Sequence, residues 1–320
     1  MYPVGNSKVA NPLTSEAQQL LTALKAKPVL TRAEKQIYLF QYLQPQQQLG
    51  LEIGPNIRAL VPKNLGYQIE YIESMSTDRL LETIQKRSPH EINLVPMIDY
   101  VHQAGLVEDV GKTAYYDYVV SSHVLEHLPN LIQHFQEVEA VLKESGVYGL
   151  IVPDKTLTLD YLRPCSSFGQ ILEAHLQKRM HAPLASYIDN LVYGVKSKHN
   201  DAICWEVGSK LDLTTVYVQH PRKIQHLLDT QQTEPPADWG GHVWVFTADS
   251  FVSLFFDMKR FALTNLELID IHPTGEADFM VVLAKQNSGY SALTQAEALE
   301  QLCAKYYQSS HLNLSLYACS

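Results

Sequence analysis

The sequence predicts an α/β fold built on a mostly parallel sheet wrapped by helices. Between residues 49 and 154, apolar segments of strand length alternate with segments of helical periodicity. Small or acidic residues stand at the strand ends. The order then closes on two strands whose link is too short for a crossover, so that pair must be antiparallel.

Residues 1–47 read as a helical extension. Ser15 and Glu16 open AQQLLTALKAK, whose apolar residues recur at helical spacing, and Pro28 closes it. Thr31 is a good N-cap for a second helix, through AEKQIYLFQYL to Pro45. QPQQQ at 44–48 reads as a linker.

LGLEIG (49–54) is the first strand and leads into a turn at Pro55-Asn56. YQIEYIE (67–73) is the second, and a helix, TDRLLETIQKR, follows with Thr77 as its cap. INLVPMID (92–99) is read as a third strand and YYDYVVSS (115–122) as a fourth. LIQHFQEVEAVLK (131–143) places its apolar residues on one helical face, and Ser145-Gly146 is expected to stop it before a fifth strand, VYGLIVPD (147–154). Right-handed crossovers put the carboxyl ends of these strands on one edge, where ligands bind.

Residues 155–245 break the rhythm and carry Pro164, Pro183, Pro221, Pro235 and Pro236. Thr247 then caps ADSFVSLFFDMKRF, and LTNLELIDIH (263–272) and DFMVVLAK (278–285) form the closing pair. The expected organisation is an extension (1–47), a cofactor-binding half (48–154), an insertion (155–245), completion of the sheet (246–286) and a helical tail (287–320).

Apolar residues make up 46% and charged residues 18%, as in ordinary globular chains. No apolar run has the roughly 18 residues needed to span a bilayer, and the first segment lacks a signal-peptide core. A cytoplasmic location without a membrane partner is therefore expected. A net charge of −9 with no basic cluster argues against nucleic acid as the main partner. Cys165, Cys204, Cys303 and Cys319 form no CxxC pair and read as reduced thiols.

The strand-end residues carry a family likeness. LEIGPN at 51–56, Glu73, YDYVVSSHVLEHLPN at 116–130 and LKESGVYGLIVPD at 142–154 resemble the class I S-adenosylmethionine-dependent methyltransferases. The resemblance covers 49–154 and 245–286. It implies a Rossmann-like sheet of seven strands with an antiparallel last strand, and makes 155–245 a cap on the substrate side. PDKTLTLDYLRP and HVWVFTADSF also resemble a bacterial subgroup associated with glycans.

That resemblance implies S-adenosylmethionine as cofactor and assigns the edge residues. Gly54 faces the methionine part, with Glu52 near its ammonium group, and Pro55, Asn56 and Ser122 are further cofactor-binding positions. Asn56 replaces the family's second glycine, and Asn tolerates unusual backbone angles. Glu73, beside Ser74, is placed to accept from ribose hydroxyls, a geometry known from dinucleotide folds. Asp99 faces the adenine amino group, with Tyr100 or Met97 against the ring.

His123 is expected beside the sulfonium, as base or acceptor-positioning group. Glu126 and His127 lie on the next turn, as acceptor contacts or as structural groups beneath the site. Asp154, Tyr161, Arg163 and His242 are candidates for the acceptor wall, Asp154 and His242 with catalytic roles. The expected reaction is methyl transfer to oxygen of a small-molecule or sugar-type acceptor, by a mechanism that requires no metal; homo-oligomerisation is compatible with the sequence.

Other readings remain. The run from His123 to His127 matches the H-x-x-E-H signature of inverted zinc peptidases. That motif needs a regular helix, whereas this one issues from a strand and meets Pro129. A binding protein that keeps the fold without the chemistry is a further alternative, with Asn56 as its support. An NAD-dependent dehydrogenase would carry G-x-G-x-x-G, which is missing here.

Overall fold

A sheet of parallel strands must cover both faces, and here the two coverings come from different parts of the chain. The computed structural model describes residues 13–219, 221–236 and 239–308. Its strands are β1 (Gly50–Ile53), β2 (Ile69–Glu73), β3 (Tyr100–Val101), β4 (Tyr116–Ser122), β5 (Leu142–Pro153), β6 (Val195–Ser197), β7 (Leu213–Thr215), β8 (Glu267–Pro273) and β9 (Asp278–Ala284). Seven of them form one sheet in the order β3-β2-β1-β4-β5-β9-β8, while β6 and β7 make a separate ribbon. Only β9 runs against its neighbours in the main sheet. The predicted α/β class and antiparallel last strand are both present.

The helices are α1 (Ser15–Lys25), α2 (Arg32–Leu43), α3 (Thr77–Arg87), α4 (Leu106–Val110), α5 (Leu131–Val141), α6 (Phe168–Leu176), α7 (Leu184–Tyr193), α8 (Pro221–Thr230), α9 (Ala248–Arg260) and α10 (Gln295–Gln308). One core joins Val119, Leu150, Phe279 and Val281 of the sheet to Phe135 of α5 and Phe251 and Phe255 of α9. The opposite core joins Tyr118, Val120, Ile151 and Met280 to Tyr38, Leu39 and Leu43 of α2 and Leu21 and Leu24 of α1. Each fully buried side chain of this size contributes about 1.5–3 kcal/mol.

The extension therefore belongs to the fold. The connection from β1 to β2 holds one short 3₁₀ turn, Lys63–Leu65, and no α-helix. The α1–α2 pair covers the face beside it. Asp270 of β8 fixes that docking: it accepts from Tyr38 (2.5 Å), Tyr42 (2.6 Å) and Lys25 (2.7 Å). Close by, Leu30 N–H donates to the Thr274 carbonyl at 2.7 Å. Gly275 has φ +78°, and a Cβ there would meet the Pro28 carbonyl at 2.0 Å.

Local predictions fared unevenly. Thr31 caps α2 in a full capping box with Glu34, and Thr247 caps α9. The α3 cap is Ser76; Thr77 instead accepts from Ile98 N–H at 2.9 Å. Residues 92–99 form no strand, because Pro89–Leu94 is a 3₁₀ turn and Pro96 has no N–H for a ladder. The third strand is only Tyr100–Val101. Ser145-Gly146 does not stop α5, which ends at Val141, and β5 begins at once with a register shift against β4.

The segment 155–245 is rooted in the main core at both ends, through Ile171 and Ala174 of α6 and through Val243, Trp244 and Phe246. No described cysteine is in a disulfide, and Cys319 lies outside the described residues. Among the described residues, no helix is long and apolar enough to cross a membrane.

Two outcomes follow from the docking of α2. Asp270→Ala strands two buried hydroxyls and should destabilise the fold by about 3 kcal/mol, seen as a lower urea midpoint. His272 is stacked on Tyr38 at 5.5 Å, and burial depresses its pKa to about 3. A histidine depressed from 6.5 contributes stability above pH 6.5 that is lost as pH falls towards 3. Denaturant titrations at pH 6.5 and 5.5 should therefore show His272→Gln regaining about 1 kcal/mol relative to wild type over that unit.

Candidate active site

Strand order runs outward in opposite directions from β1 and β4, so the crevice beyond their carboxyl ends is the topological switch point of the sheet. Three loops meet there. After β1, Gly54 has φ +68°, and an added Cβ would strike Val124 Cγ2 at 2.6 Å, so only glycine fits beneath the β4 loop. Asn56 takes the left-handed conformation too, at φ +47°. Its N–H donates to Glu73 Oε2 (3.1 Å), while Ser74 donates to Glu73 Oε1 through N–H (2.7 Å) and hydroxyl (2.9 Å). Glu73 is thus held at the end of β2 with acceptor capacity to spare.

His123 follows β4, also at positive φ (+54°). Its Nε2 lies 3.3 Å from Asp278 Oδ2 and its Nδ1 3.6 Å from Glu126 Oε1. Burial opposes protonation of the ring, but the Asp278 bond and the Glu126 charge outweigh it and lift the pKa above 6.5. Asp278 is buried and held low despite desolvation by His123 and Lys35; Lys35 Nζ lies 2.7 Å away and also pairs with Glu276 at 2.5 Å.

Past His123 the chain makes a 3₁₀ turn over Leu125–His127. The Glu126 carbonyl accepts from Val243 N–H (2.7 Å) and Trp244 N–H (3.0 Å), and the Trp244 indole donates to the Leu128 carbonyl at 2.5 Å. These bonds fasten the end of the cap to the β4 loop. They bring the rings of His127 and His242 to 5.0 Å, edge to face. His242 Nδ1 lies 2.5 Å from Asp160 Oδ2, and Arg163 donates to Asp160 (2.7 Å) and to the His242 carbonyl (3.0 Å).

Residues 51–150 match the sequence family described as a methyltransferase domain, somewhat under a third of the chain. With that match on this sheet order, the assignment is decided. Residues 51–150 form an S-adenosylmethionine-dependent methyltransferase domain. No curated protein matches the sequence. Similar solved chains include the PH0226 protein from Pyrococcus horikoshii OT3, at 11% identity over 77% of this chain and 89% of that one, TM-score 0.37. A SAM-dependent methyltransferase from Aquifex aeolicus shows 8% identity over 80% and 99%, TM-score 0.36. A chain assigned to the zinc-dependent alcohol dehydrogenases, from Rhodobacter sphaeroides, shows 12% over 89% and 100%, TM-score 0.43. With TM-scores below 0.5, none of the three adds to what the sheet order establishes.

The residues of the methyltransferase fit its cofactor at the switch point, where a glycine turn no Cβ can enter faces an anchored carboxylate. The expected edge positions of Gly54, Pro55, Asn56, Glu73, Ser74, Ser122 and His123 all lie on loops or strand ends there. Other assignments change. Glu52 is buried, with its oxygens taken by Leu60 N–H (2.6 Å) and Val61 N–H (2.9 Å) and its pKa raised to about 7 by burial, so it braces the loop and does not face an ammonium group. Asp99 precedes β3, accepting from Tyr71 N–H (2.6 Å) and pairing with Lys63. The Tyr100 hydroxyl donates to Glu70 (3.1 Å), and Met97 is exposed.

Asp154 is not in the catalytic cluster. It caps the turn Lys155–Leu157 through Thr156 N–H (2.9 Å) and hydroxyl (2.7 Å), and burial raises its pKa to about 6. Arg163 is buried on Asp160 and Tyr161 packs on Trp205, so neither forms an open wall. The zinc-peptidase helix is absent. Sequence reasoning missed Lys35, Asp160 and Asp278, and also His102, which lies just past β3. Only Asp160 left a signal: Asp160 and Arg163 stand at i, i+3 spacing.

Glu73→Ala should weaken cofactor binding at least about tenfold without unfolding the protein, because an exposed carboxylate is removed. Calorimetric titration with S-adenosylhomocysteine, beside a circular dichroism spectrum, checks it; unchanged affinity would remove Glu73 from the ribose site.

Proposed function

We propose that this methyltransferase methylates a hydroxyl oxygen of a small, sugar-like acceptor bound between the carboxyl edge and the 155–245 cap. The observation that carries this reading is the Asp278–His123 pair at the switch point. The bound cofactor would supply an electrophilic methyl group. Gly54 and Asn56 shape its cradle, Glu73 holds the ribose, and the backbone past β3, at His102 and Gln103, flanks the adenine.

His123 has the arrangement of an oriented base. Asp278 engages Nε2, fixes the ring plane and raises the basicity of the imidazole. Nδ1 is left facing the acceptor side, near Glu126. An alcohol is a poor nucleophile until its proton is drawn off, so a positioned base matters more for oxygen than for sulfur or an amine. Alignment and exclusion of water by the cap supply the rest. The polar rim of the cap suits a hydroxylated ligand; a cytoplasmic, bacterial setting agrees with the subgroup resemblance.

Titration with S-adenosylmethionine and S-adenosylhomocysteine should show micromolar binding; a folded sample that binds neither would sink the reading. On a hydroxylated acceptor, His123→Ala should lower kcat about 10²–10⁴-fold with cofactor affinity retained. Because the base must be unprotonated and its pKa is raised, kcat should climb with pH above 6.5 in wild type and lose that limb in the variant.

A further inference from the structure

We propose that Glu126, His127 and His242 form a binding site for a divalent metal ion of the zinc class. Glu126 is fully buried, and neither carboxylate oxygen has a hydrogen-bond partner among the described residues. A bare carboxylate inside a protein is costly unless a cation meets it. His127 Nε2 faces Glu126 Oε1 at 3.6 Å and His242 Nε2 faces it at 3.9 Å, both too long for hydrogen bonds.

The outer nitrogens fix the tautomers. His127 Nδ1 lies 3.2 Å from the Gly241 carbonyl, which can only accept, so Nδ1 carries the proton. His242 Nδ1 sits against the Asp160 carboxylate, which accepts likewise. Each neutral ring therefore turns an Nε2 lone pair towards Glu126, and three acceptors converge with no donor between them. The three ligand atoms lie within 4.8 Å of one another. Bonds of 2.0–2.2 Å to a tetrahedral ion would bring them to about 3.3–3.6 Å, a small closure.

The surroundings have the form of a metal site's outer shell. An imidazole whose second nitrogen donates to a carboxylate or carbonyl is the usual arrangement at zinc. Here Asp160, itself clamped by Arg163, serves His242, and the Gly241 carbonyl serves His127. Two imidazoles and one carboxylate favour zinc or a neighbouring transition ion over magnesium or calcium. The pair differs from the peptidase motif, because His242 comes from the far end of the insertion.

Three protein ligands leave a position open. An acceptor hydroxyl bound there would be acidified beside His123, a role that rests on the methyl-transfer reading. Its proton passes to His123, its oxygen bonds the methyl carbon as the sulfur–carbon bond breaks, and a neutral thioether leaves.

The test uses the full chain stripped with a chelator, titrated with Zn²⁺ by calorimetry and with Co²⁺ by visible absorption. One ion per chain should bind at micromolar or lower Kd, with the intense bands of low-coordinate cobalt. His127→Ala and His242→Ala should each weaken binding about 100-fold or more, and Asp160→Asn about 10–100-fold. Circular dichroism and S-adenosylhomocysteine binding report whether each variant is folded. A folded protein that binds S-adenosylhomocysteine but no ion at about 100 μM overturns the proposal, as does ion binding that survives both histidine substitutions. Ion binding without any S-adenosylhomocysteine binding would uphold the site and instead remove the methyl-transfer reading.

Discussion

Every part of this structure answers to the need to bury both faces of a mostly parallel sheet. Crossover helices cover one face through α5 and α9. On the other, the first crossover is a loop, and Tyr118, Val120, Ile151 and Met280 would meet water without another covering. The α1–α2 pair supplies it. A shared carboxylate, Asp270, then makes the docking specific, because apolar contact alone sets no register.

That solution has a consequence for chemistry. The helix that covers the sheet also brings Lys35 to the carboxyl edge, where it pairs with Asp278. Asp278 in turn orients His123. His123 is therefore positioned by three elements from distant stretches of chain: α2, β9 and the turn after β4. The end of the 155–245 segment is bound to the same turn through the Glu126 carbonyl.

Buried charge is unevenly satisfied around that point. Asp278 and Asp160 each have strong partners, whereas Glu126, enclosed as deeply, has imidazole nitrogens around it and no donor. The contrast separates groups that hold the fold together from one that waits for a cation. It also explains why a five-residue motif that fails as a peptidase helix can still mark a metal site.

The layers, the glycine turn after β1 and most strand ends were legible in the sequence alone. Those features depend on local rules: apolar periodicity, the N-caps Thr31 and Thr247, and a glycine turn that admits no side chain. Sequence reading misplaced the third strand because 92–99 has strand-like composition, while Pro96 and a 3₁₀ turn prevent pairing. It gave Glu52, Asp99, Tyr100 and Asp154 to the site because each stands near a strand end; which way a side chain turns there depends on which backbone N–H groups need an acceptor. Packing in three dimensions was needed to show that α1–α2 belong to the fold, that Asp278 pairs with both Lys35 and His123, and that His242 returns to Glu126. Those contacts join residues far apart in the chain, and no local pattern encodes a distance closed by packing.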